Sequence, residues 1–465
     1  MTHRLSTRIT DVLRLDPAAN AIEYEGQWHS WRQLAEIAET VTAISPGTQI
    51  GMLLRNRPDQ VAALLGVLVA GGTVVTINPS RGEDRTRADL AALDLSTVIG
   101  EPADLDTEPT ESIAGLHVWA REGTAEPRPS VAVRMLTSGT TGPPKRIDLT
   151  YDMLARSLMG PAPTALRRGV AIVNAPLVHI GGVFRILQCV TAGRSFALLD
   201  RFELDLWADA VRRHRPGAVS LVPAALRMVL HSDLGADDLA GIRAVTSGTA
   251  PLSPDDADAF TAKFGIPVLT SYAATEFGGG VAGWTIGDYH QFWKSKRGSV
   301  GRATPDSSLR VVDDHGNPLA LGEPGLLEVK PGQFGPSGEW IRTTDLARID
   351  ADGFLWILGR ADQAIIRGGF KVLPDDVRAA LEGHPAVAGA AVVGSPDKRL
   401  GETPVAMIEL RTPAETDDIV DYLRTRLARY EIPSSIAIVD RIPRTPSGKA
   451  DLGEVRRFFA EQHAG

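Results

Sequence analysis

The sequence predicts an α/β protein. A large N-terminal domain of helix-covered, mostly parallel sheets carries a small β-barrel-like subdomain, and a small α+β domain follows it. Three observations carry this expectation. At 465 residues the chain is too long for one ordinary core. Through its first part, β-branched segments alternate with helix patterns, the signature of parallel sheets whose crossovers are helices. Between Ser299 and Asp345 that alternation gives way to short strands separated by Gly/Pro turns, and α+β patterning returns after Arg360.

In chain order, residues 58–70 read as a helix opened by a proline, and Thr73-Val74-Val75-Thr76-Ile77 as a strand. The apolar run 61–75 is only 15 residues long and holds Gly66, Gly71 and Gly72, too short to span a bilayer. The acidic, proline-containing stretch 101–130 reads as a surface loop. Val131 to Leu136 is a strand, as are 169–173, 218–222, 242–246 and 268–272, with an amphipathic helix at 204–214. In the last part, 374–381 starts a helix at a proline, 390–393 is a strand, and 417–430 is a helix.

Composition narrows the function. A hydrophobic fraction of 43% and a charged fraction of 23% describe a globular chain. A net charge of -8 with no basic block argues against a nucleic-acid partner. The single cysteine, Cys189, lies in an apolar run, so it is expected in the core. The polar start lacks the apolar stretch of a secretory signal, and a cytoplasmic location is expected.

The most informative motif is Thr137-Ser138-Gly139-Thr140-Thr141-Gly142-Pro143-Pro144-Lys145, which follows the strand at 131–136. Glycines allow close backbone approach, and hydroxyls, N–H groups and the lysine can surround phosphate oxygens. Taken alone it is also compatible with an ordinary hydroxyl-rich turn. Five motifs follow in order: Ser247-Gly248-Thr249-Ala250-Pro251-Leu252, Tyr272-Ala273-Ala274-Thr275-Glu276, Arg342-Thr343-Thr344-Asp345, Gly359-Arg360-Ala361-Asp362, and Pro443-Arg444-Thr445-Pro446-Ser447-Gly448-Lys449.

This ordered set closely resembles the adenylate-forming superfamily of acyl-CoA synthetases, nonribosomal-peptide adenylation domains and luciferases, over nearly the whole chain. The resemblance implies that a carboxylate attacks the α-phosphorus of ATP, so catalysis is mostly charge neutralisation and alignment. It implies that Thr137, Ser138, Gly139, Thr140, Thr141, Gly142 and Lys145 hold phosphates, and that Glu276 with Thr141 serves Mg²⁺. Gly248, Thr249, Ala250 and Pro251 would flank adenine, with Tyr272 on its other face and Ala273 and Thr275 nearby. Asp345 would take the ribose hydroxyls and Arg360 would add a donor. Lys449 would be the catalytic lysine that bridges carboxylate and α-phosphate, although a lysine in such a loop is otherwise a solvated surface residue.

His179, in Pro176-Leu177-Val178-His179-Ile180-Gly181-Gly182, would stand at the mouth of the acyl pocket; a hydrogen-bonded core histidine is the alternative. Gly181, Gly182, Val222, Pro223, Ser247, Ala274, Gly278 and Gly279 are expected to line that pocket. The run Gly278-Gly279-Gly280 either makes room for a bulky acyl group or forms a flexible turn. His290 and His315 are expected at the surface. The domains are expected at 1–361 and 362–465, with Asp362 the hinge of a mobile C-terminal domain. Gly368 and Gly369 would line the coenzyme A tunnel. Three departures from the family pattern, Thr344, Gln363 and Asp376, touch no central charge.

The segment 364–374 looks most like the acid–CoA ligases, which favours coenzyme A over a carrier protein as acyl acceptor. A catalytically silent nucleotide sensor is the alternative from another class, and the retained Thr141, Glu276, Asp345 and Lys449 argue against it. The expected substrate is an aromatic, alicyclic or short-to-medium carboxylic acid in a mostly apolar pocket. Residues 176–182 offer no carboxylate to pair an ammonium, so free amino acids should be rejected. A homodimer is compatible with the resemblance.

Overall fold

The computed structural model describes residues 2–137, 145–367, 370–397, 399–445 and 448–464. Its largest sheet has seven strands in the order Glu111–Ile113, Leu116–Ala120, Thr97–Gly100, Gln49–Leu53, Thr73–Ile77, Val131–Thr137 and Lys145–Thr150. The central pairs are parallel and the outer ones antiparallel. Thr73–Ile77 is buried at every position, as an apolar β-branched run must be when both sheet faces are covered. The helix Pro58–Val69 begins with proline at its first turn and carries the main cover, almost wholly buried.

A second sheet joins Arg167–Val173, Arg194–Leu198, Asn20–Tyr24 and Gln27–Ser30. A third runs Ala218–Ser220, Ala244–Ser247, Val268–Ala274, Gly279–Gly283 and Arg302–Ala303. Parallel pairing in its first three strands brings their C-terminal ends to one edge, where ligands of open α/β sheets bind. The β-rich segment is an antiparallel sheet of four strands, Ser308–Val312, Gly325–Lys330, Ile341–Ile349 and Leu355–Arg360. Its strands pair in one open order, the antiparallel sheet form of the β-rich subdomain that the sequence led one to expect.

The C-terminal sheet centres on Val387–Asp397 and Gly401–Leu410. Alternate residues of the first of these strands separate two cores by the period of two that a strand imposes. Ala390 and Val392 pack with Val377, Leu381, Ile419 and Leu423 of two helices. Ala391 and Val393 face Val455 and Phe459 of the last helix.

Two expectations need correction. The stretch 101–130 is not merely a loop: it supplies two strands, and Trp119 is buried with its indole N–H donating to the Thr107 carbonyl at 2.9 Å. The acidic flanks hid a short edge hairpin that caps the sheet. The helix expected over 417–430 is Thr416–Arg424. Beyond it the chain turns, and Tyr430 stacks on Phe370 with ring centroids 4.6 Å apart, a tertiary contact that helical continuation would forgo. Cys189 is buried, and His290 and His315 are exposed, as expected. Among the described residues, no helix is long and apolar enough to cross a membrane.

Candidate active site

The site forms where the third sheet, the four-stranded sheet and the C-terminal loop meet. The strand Ala244–Ser247 ends in the Gly248 turn, which lies so close to its neighbour that a Cβ on Gly248 would stand 2.8 Å from Ser271 Oγ. Thr249 follows in the left-handed region with φ 71°, a conformation that costs a β-branched residue about 1 kcal/mol or more. Ser253 then caps the helix Pro254–Phe264, its hydroxyl accepting from Asp255 N–H at 3.2 Å.

The neighbouring strand Val268–Ala274 delivers Tyr272 to the same edge and turns through Thr275–Phe277, where Glu276 is exposed. The Tyr272 hydroxyl donates to the Asp345 carboxylate. Burial, the Asp345 charge and that bond all push the Tyr272 pKa up, so it is held protonated as the donor. Burial also raises Asp345, opposed by the Tyr272 hydroxyl and the charge of Arg360. Asp345 and Arg360 are cross-strand partners in the antiparallel ladder, which is why two motifs 15 residues apart act together. Arg360 donates to both oxygens of Asp362, at 2.9 and 2.6 Å, and to Thr344 Oγ1 at 2.7 Å. Thr344, a departure from the family pattern, thus helps to aim the guanidinium.

His179 precedes the helix Ile180–Thr191 and accepts N–H bonds from Gly182 and Val183 at its carbonyl. Its ring nitrogen Nε2 is buried with no hydrogen-bond partner, which disfavours the satisfied core histidine. Burial first, and the Lys449 charge second, lower the His179 pKa to about 4, so the ring is neutral at neutral pH. Lys449 is reachable by solvent, yet the walls of the cleft lower its pKa, as does the charge of Arg360, while Glu276 and Asp345 oppose the shift. The C-terminal loop therefore places Lys449 in electrostatic reach of His179, Glu276, Asp345 and Arg360. The loop is closed by Thr445 N–H to the Lys449 carbonyl at 2.7 Å and by Gly448, at φ 81°, beside Val222.

An ion-pair cluster docks the C-terminal segment. Arg227, on the helix Pro223–Leu230, meets Asp256 at 2.6 Å and Glu382 of the C-terminal helix Pro374–Glu382 at 2.9 Å. These side chains are only 15%, 19% and 7% exposed.

The pocket glycines divide. Gly181 and Gly280 have nothing closer than 3.9 Å to an added Cβ. At Gly182 a Cβ would lie 2.1 Å from the Pro176 carbonyl oxygen, so this glycine permits close backbone packing and opens no space. Gly278 and Gly279 adopt φ 69° and 146°, and their Cβ positions are taken by Met153, Gln333 and Phe184. The room expected beside them is filled; Gly278 ends the turn Thr275–Phe277, while Gly279 and Gly280 open the strand Gly279–Gly283. Val222 lies beside the lysine loop, Pro223 begins its helix, and Ala274 is partly buried. Ser247 Oγ is buried without a partner.

Ser138, Gly139, Thr140, Thr141 and Gly142, and also Gly368 and Gly369, lie outside the described residues. The strands that bracket the first group, ending at Thr137 and starting at Lys145, pair antiparallel. The sequence did not point to Arg185, whose only signal was a lone charge in an apolar helix; nor to Phe184 or Gln333, which meet the glycine triplet; nor to the Arg227–Glu382 pair, which joins residues 155 positions apart.

The chain matches the model of the AMP-binding enzyme family over residues 10–334 and that of the AMP-binding enzyme C-terminal domain over 376–449. It is 30% identical to 4-coumarate–CoA ligase 1 of Oryza sativa subsp. japonica, covering 92% of this chain and 86% of that protein. It is 29% identical to indoleacetate–CoA ligase of Aromatoleum aromaticum, covering 96% of each. Among solved structures it resembles ATP-bound MatB from Rhodopseudomonas palustris, with a TM-score of 0.82, 25% identity and 99% of both chains covered. It also resembles o-succinylbenzoate CoA synthetase from Bacillus subtilis in complex with an acyl-adenylate intermediate, with a TM-score of 0.78, 25% identity and 97% of both chains covered. These full-length matches, together with the nucleotide-edge motifs and the docked lysine, show that the chain belongs to the AMP-binding enzyme family of adenylate-forming acid–CoA ligases.

Proposed function

We propose that the protein is an ATP-dependent carboxylic acid–CoA ligase that forms acyl-CoA, AMP and pyrophosphate through an acyl-adenylate. The observation that carries this reading is Lys449, held by the C-terminal loop among Glu276, Asp345, Arg360 and the neutral His179. Two anions, an acid and a triphosphate, must meet in this cleft, and an ammonium between them offsets their repulsion where it is greatest. Asp345, steered by Tyr272 and Arg360, presents a carboxylate for the ribose hydroxyls. Gly248 to Pro251 offer a backbone edge to adenine. The residues 138–142 with Lys145 would hold the phosphates.

Mg²⁺ fits this donor set. Glu276 is exposed at a turn, and among the described residues no group of three His, Cys, Asp or Glu side chains gathers, so the ion's other ligands would be phosphate, water and Thr141. When bound, it supplies charge neutralisation at the triphosphate.

In this reading residues 1–361 bind ATP and acid, and residues 362–465 form a mobile domain turning about Asp362. Gly368 and Gly369 would then face coenzyme A in the second half-reaction. The relatives that act on 4-coumarate and indoleacetate favour an aromatic acid, within the broader class of aromatic, alicyclic and short-to-medium acids. The test is acid-dependent pyrophosphate release over an acid panel, followed by AMP and thioester formation on adding coenzyme A. Pyrophosphate release without thioester would move the acyl acceptor to a carrier protein. No acid-dependent release at all would make the chain a silent nucleotide binder.

A further inference from the structure

Arg185 is the one charged residue in the 12-residue helix Ile180–Thr191, whose sequence IGGVFRILQCVT is otherwise neutral. It stands six residues beyond His179, about 9 Å further along the helix axis. Its guanidinium donates to Thr246 Oγ1 at 3.0 Å and to Gln188 Oε1 at 3.0 Å. Thr246 belongs to the strand that ends in Ser247 and the Gly248 turn, and the adjacent Phe184 ring abuts Gly279. Arg185 therefore lies between the helix that starts at His179 and the strand that leads to the nucleotide edge.

No carboxylate among the described residues lies in ion-pair range of this guanidinium, whereas Arg342 has one and Arg227 and Arg213 have two each. Two neutral oxygens occupy two of its five donors and leave the charge uncompensated. Burial lowers its pKa, and the neighbouring Cys189 thiol, pushed up to about 11, offers no anion at neutral pH. Arg185 is partly buried, with its Gln188 contact at the exposed rim, so the guanidinium keeps donors within reach of an anion from solution.

We propose that Arg185 binds a second, distal carboxylate on the acid that the enzyme activates, so that the substrate class is dicarboxylic. This rests on the acid–CoA ligase reading and adds one polar end to the mostly apolar pocket expected. The distance along the helix from His179 to Arg185 argues for two carboxylates separated by a ring or several carbons. The same cation would repel an ammonium, which strengthens the expected rejection of free amino acids.

The test uses matched pairs that differ only in the distal carboxylate, hexanoate against adipate and cinnamate against 4-carboxycinnamate. Each is assayed for pyrophosphate release and, as its acyl sulfamoyl-adenosine conjugate, for direct binding. The diacid of a pair should be favoured about tenfold or more in kcat/KM and in Kd, the scale of one charge-assisted contact. Arg185→Met should erase that preference while leaving the Kd of the monoacid conjugate within about threefold, and Arg185→Lys should keep part of it. A wild-type preference for the monoacids, or an equal loss for both members in Arg185→Met, overturns the subsite but leaves the ligase reading intact. Failure of every conjugate to bind overturns the ligase reading and the subsite with it. Should Arg185→Met not fold, as judged by its melting temperature, Arg185→Lys and the wild-type pair ratios decide.

Discussion

Replacing Glu382 with glutamine tests whether the docked C-terminal segment is held by the charge cluster on Arg227. Glu382 Oε2 accepts from Arg227 at 2.9 Å across the two parts of the chain, and from Arg378 at 2.7 Å within its own helix. Its side chain is only 7% exposed, so the cross-chain bond is poorly screened. The amide keeps shape and one acceptor but removes the charge. A hydrogen bond to a charged group contributes about 1.5–3 kcal/mol. Asp256 still holds Arg227 at 2.6 Å, which places the expected loss at the lower end, about 1.5–2 kcal/mol. That corresponds to roughly a 10- to 30-fold shift away from the orientation that puts Lys449 in the cleft. Acid-dependent ATP–pyrophosphate exchange should fall by up to this factor, while conversion of supplied acyl-adenylate with coenzyme A should hold or rise. Arg378→Gln, which removes only the partner within the helix, should cost about 0.5 kcal/mol or less and serves as the control. Unchanged exchange in Glu382→Gln, or equal loss in both half-reactions alongside a lowered melting temperature, would refute the reasoning.

Lys449→Ala should lower ATP–pyrophosphate exchange by about 10²–10³-fold, the scale of removing one preorganised electrostatic contact, while supplied acyl-adenylate still reacts with coenzyme A. Equal loss in both assays would reassign the lysine. Glu276→Gln should weaken Mg²⁺-dependent turnover and leave the order of preferred acids unchanged; an altered order at constant Mg²⁺ dependence would place Glu276 against the acyl group. His179, lowered from 6.5 to about 4, stays neutral in the fold where the unfolded chain would take up a proton. The stability it contributes is present above pH about 6.5 and is lost as pH falls toward about 4. Chemical denaturation across that window should show a flatter decline in His179→Gln than in the wild type, and an identical slope in both would count against a buried neutral ring.

The sequence by itself determined the class of the fold and the order of its chemistry. Runs such as Thr73–Ile77 and helices such as Leu204–His214 declare themselves because periodicity and β-branching are local properties. The nucleotide motifs were legible for a related reason: each is a short contiguous run on or just after one strand, so its residues stay together in the chain. Tyr272, Asp345 and Arg360 were named from such motifs, but that they touch depends on two strands pairing with Asp345 opposite Arg360. The open glycines could not be told from the crowded ones, because whether Gly279 offers space is decided by Phe184 and Gln333 from elsewhere in the chain. Only the tertiary structure showed Arg185 without an acidic partner among the described residues and Arg227 with two, since the charge balance of a partly buried group depends on what the fold brings near it rather than on its neighbours in sequence.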